Sequence, residues 1–301
     1  MTQHPTIQAQ SVIYNNDIPS LLRAIDNMAN AVRVEREQCG YIGRVSLRYG
    51  DASEKPILTQ EQVEAIQKKF EKEIDFNYQV FGFNSGSAKG QNLLGLGTNA
   101  DYILIMNPDI IVSPRFFIEM IYPFENTAVG LVEARQTPIE HHKQYDPTSM
   151  LTDWSTGACS LVPTKVFEAI DGYDSDTFFM YCDDVDFSWR VRLLGYQLYY
   201  QPLAPVYHAK RLSHNAAWKP TAAEEYYSAE AAILMAHKWS NPERVKKLLR
   251  IYSESANKNL NKAVEHYRQM EREGKLPTPI DPEHKVARFV GDYYAENRFT
   301  L

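Results

Sequence analysis

The chain has no uninterrupted apolar stretch approaching about 18 residues, so nothing in it reads as a bilayer-spanning helix. It has no long basic run, and its net charge of −6 speaks against a nucleic-acid partner held by phosphate neutralisation. Cysteine is scarce: Cys39, Cys159 and Cys182 are scattered, odd in number and without a CxxC spacing. That argues against a disulfide framework or a zinc site and points to a reducing compartment. The first ten residues are polar and lack the apolar centre of a secretory signal, so the expectation is a cytoplasmic protein. Neither the GxGxxG fingerprint nor the P-loop pattern occurs, which turns the reading away from a dehydrogenase or an ATPase. No internal repeat or low-complexity tract is present.

What is there fits one large α/β domain with an appendage, or two modest domains: 301 residues, 44% hydrophobic and 23% charged. Nineteen tyrosines and thirteen phenylalanines would suit a sugar or base platform, and equally a core. Strand-like and helix-like segments alternate through the first half. Ser11 to Tyr14, Tyr41 to Leu47, Tyr78 to Phe83 and Tyr102 to Met106 read as strands. Leu21 to Val32 and Val63 to Ile74 carry helical spacing. This order predicts a mostly parallel sheet covered by helices on both faces. Further on, Ala158 to Val162 and Tyr196 to Gln201 read as strands, the second closed by Pro202. A helix begins near Asp184 and stops at Gly195. From about Thr221 the chain reads as helical, and Glu243 to Glu273 as a long charged helix packed by one face.

Ligands of such sheets lie at the carboxyl ends of the strands. Asn15-Asn16-Asp17, Asp51, Asn84 and Asn107-Pro108-Asp109 all fall at predicted strand ends. Each alone is also a good turn or cap, and capping stays the leading alternative for Asn15 and Asn16. Asp109, presented by an apolar strand, suits a hard divalent ion that bridges diphosphate oxygens. Between the third strand and the next helix, Asn84-Ser85-Gly86-Ser87-Ala88-Lys89-Gly90 lets the backbone approach an anion. The run Phe178 to Arg190 drives an aromatic segment into Asp183, Asp184 and Asp186. Carboxylates so close repel one another, and a raised pKa would hold one ready to take a proton. Acids in a first helical turn are equally what the helix dipole favours. Trp154 offers a face for a sugar, or a large side chain for the core.

In order along the chain stand Asn84-x-Gly86-x-x-x-Gly90-x-Asn92, Asn107-Pro108-Asp109, Thr156-Gly157-Ala158, Gly172-Tyr173-Asp174, Phe178-Phe179-Met180-Tyr181-x-x-Asp184-x-Asp186, Gly195-Tyr196 and the Pro202 to His208 segment. This set resembles the family-two glycosyltransferases of GT-A fold, above all the rhamnosyltransferase-like branch of bacterial polysaccharide synthesis, over roughly residues 10–210. The resemblance implies a GT-A catalytic domain over 8–215 and a helical extension over 216–301. It implies inverting transfer from a nucleotide-diphosphate donor, dTDP-L-rhamnose first and a UDP-hexose (galactose, GlcNAc or glucose) second. The acceptor would be a hydroxyl of a glycan or lipid-linked chain.

By position, Asp184 maps to the catalytic base, Asp183 replaces the commoner Glu before it, and Asp109 and His208 map to a Mn²⁺ or Mg²⁺ site. Tyr14, Asn16, Asp51, Asn84, Gly86, Asn92 and Asn107 map to the nucleotide-sugar side, with Asp51 at the base contact in an uncertain register. Trp154, Thr156, Gly157 and Asp183 map to the donor-sugar or acceptor side. Peripheral contact with a membrane and a homodimer through the C-terminal helices are further expectations. A nucleotidyltransferase is the rival from another class. It would call for a Lys/Arg-containing phosphate loop after the first strand, which Asn15-Asn16-Asp17 does not supply.

Overall fold

The computed structural model describes residues 4–141, 143–208 and 220–296; the boundary expected between residues 215 and 216 lies outside them. Four strands run parallel in the first half: β1 (Ile7–Ile13), β2 (Val45–Asp51), β3 (Asp75–Val80) and β4 (Tyr102–Met106). Between them come helices α1 (Ile18–Gln38), α2 (Gln60–Phe70) and α3 (Gly86–Gly95). The two-residue strand β5 (Ile111–Val112) and helix α4 (Phe116–Ile121) follow, and then β6 (Val129–Thr137) and the short β7 (Leu151–Thr152). Next are β8 (Cys159–Pro163), α5 (Thr164–Ala169), α6 (Asp183–Leu193) and β9 (Gln197–Tyr207). Helices α7 (Ala222–Lys238), α8 (Pro242–Ser253) and α9 (Lys258–Glu273) form the C-terminal part.

The sheet order is β3-β2-β1-β4-β8-β6-β9-β5, with β7 on β9. Strand β4 shows why it sits at the centre. All five of its residues are buried: Tyr102, Leu104 and Met106 face the core beneath α1, α2 and α4, and Ile103 and Ile105 face the core beneath α3, α5 and α6. A parallel strand covered on both faces needs this unbroken apolar run. Its neighbour β1 carries two buried glutamines, and both are satisfied. Gln8 Nε2 donates to Leu94 O at 2.8 Å, and Gln10 Nε2 donates to Gln91 O at 2.9 Å. The buried amides therefore fasten α3 to the sheet.

Strand β8 reverses direction, pairing antiparallel with β4 and β6. Its first residue, Cys159, pairs with Met106, the last of β4. The turn before β8 is thereby set at the same edge as the carboxyl ends of β1, β2 and β4. Strand β6 ends at this edge beside β9, where Thr137 pairs with Tyr207.

Several boundaries differ from expectation. Strand β2 runs Val45–Asp51, four residues further along than the expected Tyr41 to Leu47, so Asp51 is its last residue. Strand β9 does not close at Pro202 but continues to Tyr207: Ala134 pairs with Gln201 and Arg135 with Pro205, so Pro202, Leu203 and Ala204 form a bulge within β9. The expected single helix from Glu243 to Glu273 is two helices, broken between Glu254 and Asn257. The longest strand of the second half after β9, β6, was not anticipated, because Gly130 and the buried Glu133 interrupt its apolar pattern.

The C-terminal helices share a core with the sheet domain. Trp154, Phe178, Val185 and Trp189 pack in one cluster with Ile233, Met235, Trp239 and Val264. At its heart Asp186, wholly buried, accepts from Arg190 Nε at 2.7 Å, Lys238 Nζ at 2.6 Å and Trp239 Nε1 at 2.9 Å. Lys238 Nζ also meets Asp174 Oδ2 at 2.6 Å. Removing one partner of a buried ion pair strands the other charge. Lys238→Met should therefore lower unfolding free energy by about 3–5 kcal/mol in urea titration. A loss below about 1 kcal/mol would mean that Arg190 and Trp239 alone satisfy Asp186.

Candidate active site

Two groups of side chains meet at the carboxyl edge. The first is built from the ends of β4, β6 and β9. Asn107, Pro108 and Asp109 follow β4, and the Asn107 N–H donates to Ala158 O at 2.9 Å. The His208 N–H donates to Thr137 O at 2.9 Å, which seats the imidazole against the same edge. His208 Nε2 lies 3.8 Å from Asp109 Oδ1 and 3.2 Å from Asn107 Nδ2. The ring–carboxylate gap is too long for a hydrogen bond and suits two donors facing one cation.

No group of three His, Cys, Asp or Glu side chains that could hold a metal occurs among the described residues. Asp109 and His208 therefore offer a partial set of the kind that suits Mg²⁺ or Mn²⁺, with phosphate and water oxygens completing it. The chemistry of this donor pair fits the cation.

The second group stands at the start of α6. Tyr181 (φ +67°) and Cys182 (φ +55°) are both in the left-handed region, which tips the chain sharply into the helix. Cys182 Sγ lies 3.1 Å from Tyr294 Oη, and Cys182 O accepts from the Asp186 N–H at 2.9 Å, so the turn is held from both sides. Asp184 is half-buried. Its Oδ2 accepts from the Gly157 N–H at 3.0 Å and its Oδ1 from the Val185 N–H at 2.9 Å.

Burial raises the Asp184 pKa, against the pull of those two amides and of the Lys143 ammonium. Burial and then the neighbouring Asp184 charge push Asp183 up to about 7, against a hydrogen bond from the Ser87 hydroxyl. The two carboxyls form a coupled pair biased toward holding a proton. Asp186 is different: its partners on α6 and α7 make it a structural charge.

The loop between the two groups is tied to both. The Ser155 N–H donates to Ser188 Oγ on α6 at 2.9 Å, and Gln136 Nε2 donates to Thr156 Oγ1 at 2.7 Å. Gly157 presents its N–H to Asp184. The start of α3 approaches from the other side: the Ser87 N–H donates to Phe179 O at 2.9 Å, and the expected glycine loop is already helical from Gly86. Gly86 has φ +65°, and a Cβ there would stand 2.3 Å from Phe179 O, so only glycine fits this contact.

The expected residues are not all free to meet a ligand. Tyr14 is 52% exposed beside the edge, and Asn84 is exposed with its Oδ1 accepting from the Gly86 N–H at 3.2 Å. Asn16 Oδ1 accepts from the Tyr14 N–H at 2.8 Å and Asp17 caps α1, so the turn reading describes this segment. Asp51, mapped to the nucleotide base, is wholly buried. It accepts from the Ser53 N–H at 2.9 Å, from the Ile57 N–H at 2.7 Å and from the Tyr78 hydroxyl. Its carboxylate organises the loop after β2 and does not face open space.

Asn92 is likewise committed: its amide donates to Tyr173 O and accepts from the Tyr173 N–H, both at 2.7 Å, clamping the Gly172 turn. Trp154 is 6% exposed, edge-on to Tyr294, and belongs to the C-terminal core. Residues not anticipated are Gln136 and the buried Lys143, which pairs with Glu133. Both lie in segments whose character the periodicity did not reveal.

No family model matches the chain. Rhamnosyltransferase WbbL of Escherichia coli K12 is 28% identical over 147 residues, covering 38% of this chain and 53% of the relative. An N-acetylglucosaminyl-diphospho-decaprenol L-rhamnosyltransferase of Mycobacterium tuberculosis is 31% identical over 111 residues, covering 36% of each. The chain thus spans about half or less of the length of these curated relatives. Among solved structures, GalNAc-T7 with UDP, GalNAc and Mn²⁺ superposes with a TM-score of 0.62 at 11% identity, over 91% of this chain and 56% of that one. The mannosyltransferase PcManGT of Pyrobaculum calidifontis, with GDP-Man and Mn²⁺, gives 0.54 at 12%, over 91% and 84%. The fold is GT-A. By sequence the chain is similar to curated rhamnosyltransferases over little more than a third of its length.

The raised carboxyls carry a stability signature. A carboxyl whose folded pKa lies above its unfolded value of 3.8 favours folding in its protonated form, so its contribution is complete below pH about 4 and is lost as pH rises toward about 7. Asp183→Asn should therefore be more stable than wild type at pH 8 and level with it at pH 4 in urea unfolding. A stability difference independent of pH would show that Asp183 is ionised throughout this range.

Proposed function

We propose that the protein is an inverting glycosyltransferase that moves a sugar from a nucleotide-diphosphate donor to a hydroxyl of a glycan or lipid-linked acceptor. L-Rhamnose from a dTDP donor is the first reading, and a UDP-hexose the second. The observation that carries it is the convergence of the Asp109–His208 pair and the Asp184 carboxylate on the Thr156–Gly157 turn. A site that can take charge on a diphosphate thereby stands beside one that can take a proton. The rhamnosyltransferase names of the relatives support the choice of sugar. Formation of bacterial surface polysaccharide is the setting this reading implies. Among the described residues no helix is long and apolar enough to cross a membrane, so a lipid-linked acceptor would be met at the membrane surface.

In this reading Asp184 accepts the acceptor hydroxyl's proton as its oxygen bonds to the anomeric carbon. The carbon–oxygen bond to phosphate breaks on the opposite face, and the nucleoside diphosphate departs. The Gly157 and Val185 amides hold the carboxylate in place for this, and its partial burial supplies the raised proton affinity. Asp109 and His208 would hold Mn²⁺ or Mg²⁺, which supplies Lewis-acid stabilisation of the departing diphosphate. Tyr14, Asn84 and Asn107 remain the side chains available to the donor at the strand ends. The amides of the Gly86 loop can receive negative charge.

Thermal shift with dTDP-rhamnose, UDP-galactose, UDP-GlcNAc and UDP-glucose, each with and without Mn²⁺, identifies the donor by the ligand that most stabilises the fold. Absence of any shift would argue against the transferase reading. Asp184→Asn should retain donor-induced stabilisation and lose roughly 10²–10⁴-fold in transfer rate. Full activity in that variant would remove Asp184 from the role. Asp109→Ala should abolish the Mn²⁺-dependent part of the donor shift, and an unchanged Mn²⁺ effect would show that the cation binds elsewhere.

A further inference from the structure

Gln136 was not singled out by any motif, yet it joins the two halves of the site. It is 2% exposed near the end of β6, opposite Val206 of β9. Its Nε2 donates to Thr156 Oγ1 at 2.7 Å, and its Oε1 lies 3.2 Å from His208 Nδ1. Thr156 Oγ1 also accepts from the Ala158 N–H at 3.4 Å. The two lone pairs of the Thr156 hydroxyl accommodate both donors, so the Gln136 amide stands with its NH₂ toward Thr156 and its oxygen toward the imidazole. An acceptor oxygen facing Nδ1 requires the hydrogen of the neutral ring to sit on that nitrogen. The ring's lone pair then lies on Nε2, the atom 3.2 Å from the Asn107 amide donor and 3.8 Å from Asp109 Oδ1.

We propose that Gln136 is a positioning residue for the cation site: it holds His208 as the Nδ1–H tautomer, with the Nε2 lone pair aimed at the space shared with Asp109. The inference rests on the reading of Asp109 and His208 as cation ligands. It is the general pattern of a ligating histidine whose far nitrogen is fixed by a second hydrogen bond. The register shift between β6 and β9 supplies the placement. Ala134 pairs with Gln201 and Arg135 with Pro205, so the bulge advances β9 until Val206 faces Gln136 and His208 comes level with the strand end. The same amide reaches Thr156, whose neighbour Gly157 holds Asp184. Gln136 thus fixes the distance between the cation side and the base side as well as the ring.

The test compares wild type, Gln136→Leu and Gln136→Glu. Mn²⁺ affinity is measured by calorimetry with and without dTDP. The His208 tautomer is read from imidazole ¹⁵N shifts in the metal-free protein. The expected result is an Nδ1–H ring in wild type, about 10–100-fold weaker Mn²⁺ binding with a mixed ring signal in Gln136→Leu, and recovery of both in Gln136→Glu, which keeps the acceptor. Lowered stability in Gln136→Leu with unchanged Mn²⁺ affinity and tautomer would overturn the proposal and leave a packing role. A wild-type ring with its hydrogen on Nε2 would overturn it even if Gln136→Leu does not fold. Wild type that binds no Mn²⁺ in either condition would remove the cation-site reading and the proposal with it. A wild type that binds while Gln136→Leu is unaffected removes the proposal alone.

Discussion

Asp186 is the charge on which the geometry of the site depends. An unpaired carboxylate at that depth would be prohibitively desolvated, so the fold must bring cations and donors to it. It does so from two directions: Arg190 from the next turn of the same helix, and Lys238 and Trp239 from the end of α7. Arg190 also donates to Ile170 O at 2.6 Å and Gly172 O at 2.8 Å, and Lys238 reaches Asp174. One buried carboxylate therefore locks together α6, the Gly172 turn and the C-terminal helices. The two carboxyls that precede it on α6 are placed as a consequence. The C-terminal helices share one apolar cluster with Val185 and Trp189 of the helix that presents Asp183 and Asp184.

With α6 fixed, the balance of charge in its first turn becomes intelligible. Three acids in one turn repel, and the helix dipole offsets only part of that. Asp186 meets two cations, Arg190 Nε at 2.7 Å and Lys238 Nζ at 2.6 Å, while burial shifts Asp183 and Asp184 toward the protonated form. The same chemical group is thus set in different surroundings within one turn of helix. Burial alone does not distinguish them, since Asp186 is the most deeply buried of the three; the partners do.

Much of this was legible beforehand, and the reasons differ by element. The parallel half of the sheet could be read because β4 carries the apolar run that double-sided burial demands and the strands around it alternate with helical spacing. Their strand-end polar clusters fell at one edge by topology. The structural place of Asp186, bonded to Arg190 one turn on, was readable in outline from the sequence order. What could not be read depends on pairing across the fold. Asp and Asn serve both ligands and loops, and the bonds of Asp51 to the Tyr78 hydroxyl and of Asn92 to the Tyr173 backbone join residues far apart in the sequence. Strand β6 was hidden because Glu133 breaks its pattern, and a buried acid is tolerated there only through Lys143, ten residues away in a different segment. Gln136 on that strand was hidden with it.

The turn at Gly157 is where these strands of argument meet. Its backbone shows no left-handed requirement, and a Cβ added there would stand 3.5 Å from Asp184 Cβ and 3.8 Å from the Tyr173 hydroxyl, in ordinary van der Waals contact. Steric conflict with the protein therefore does not explain the glycine. Its contribution runs through the main chain: the Gly157 N–H donates to Asp184 Oδ2 at 3.0 Å, and its neighbour Thr156 accepts from Gln136 at 2.7 Å, so one turn ties the start of α6 to the end of β6.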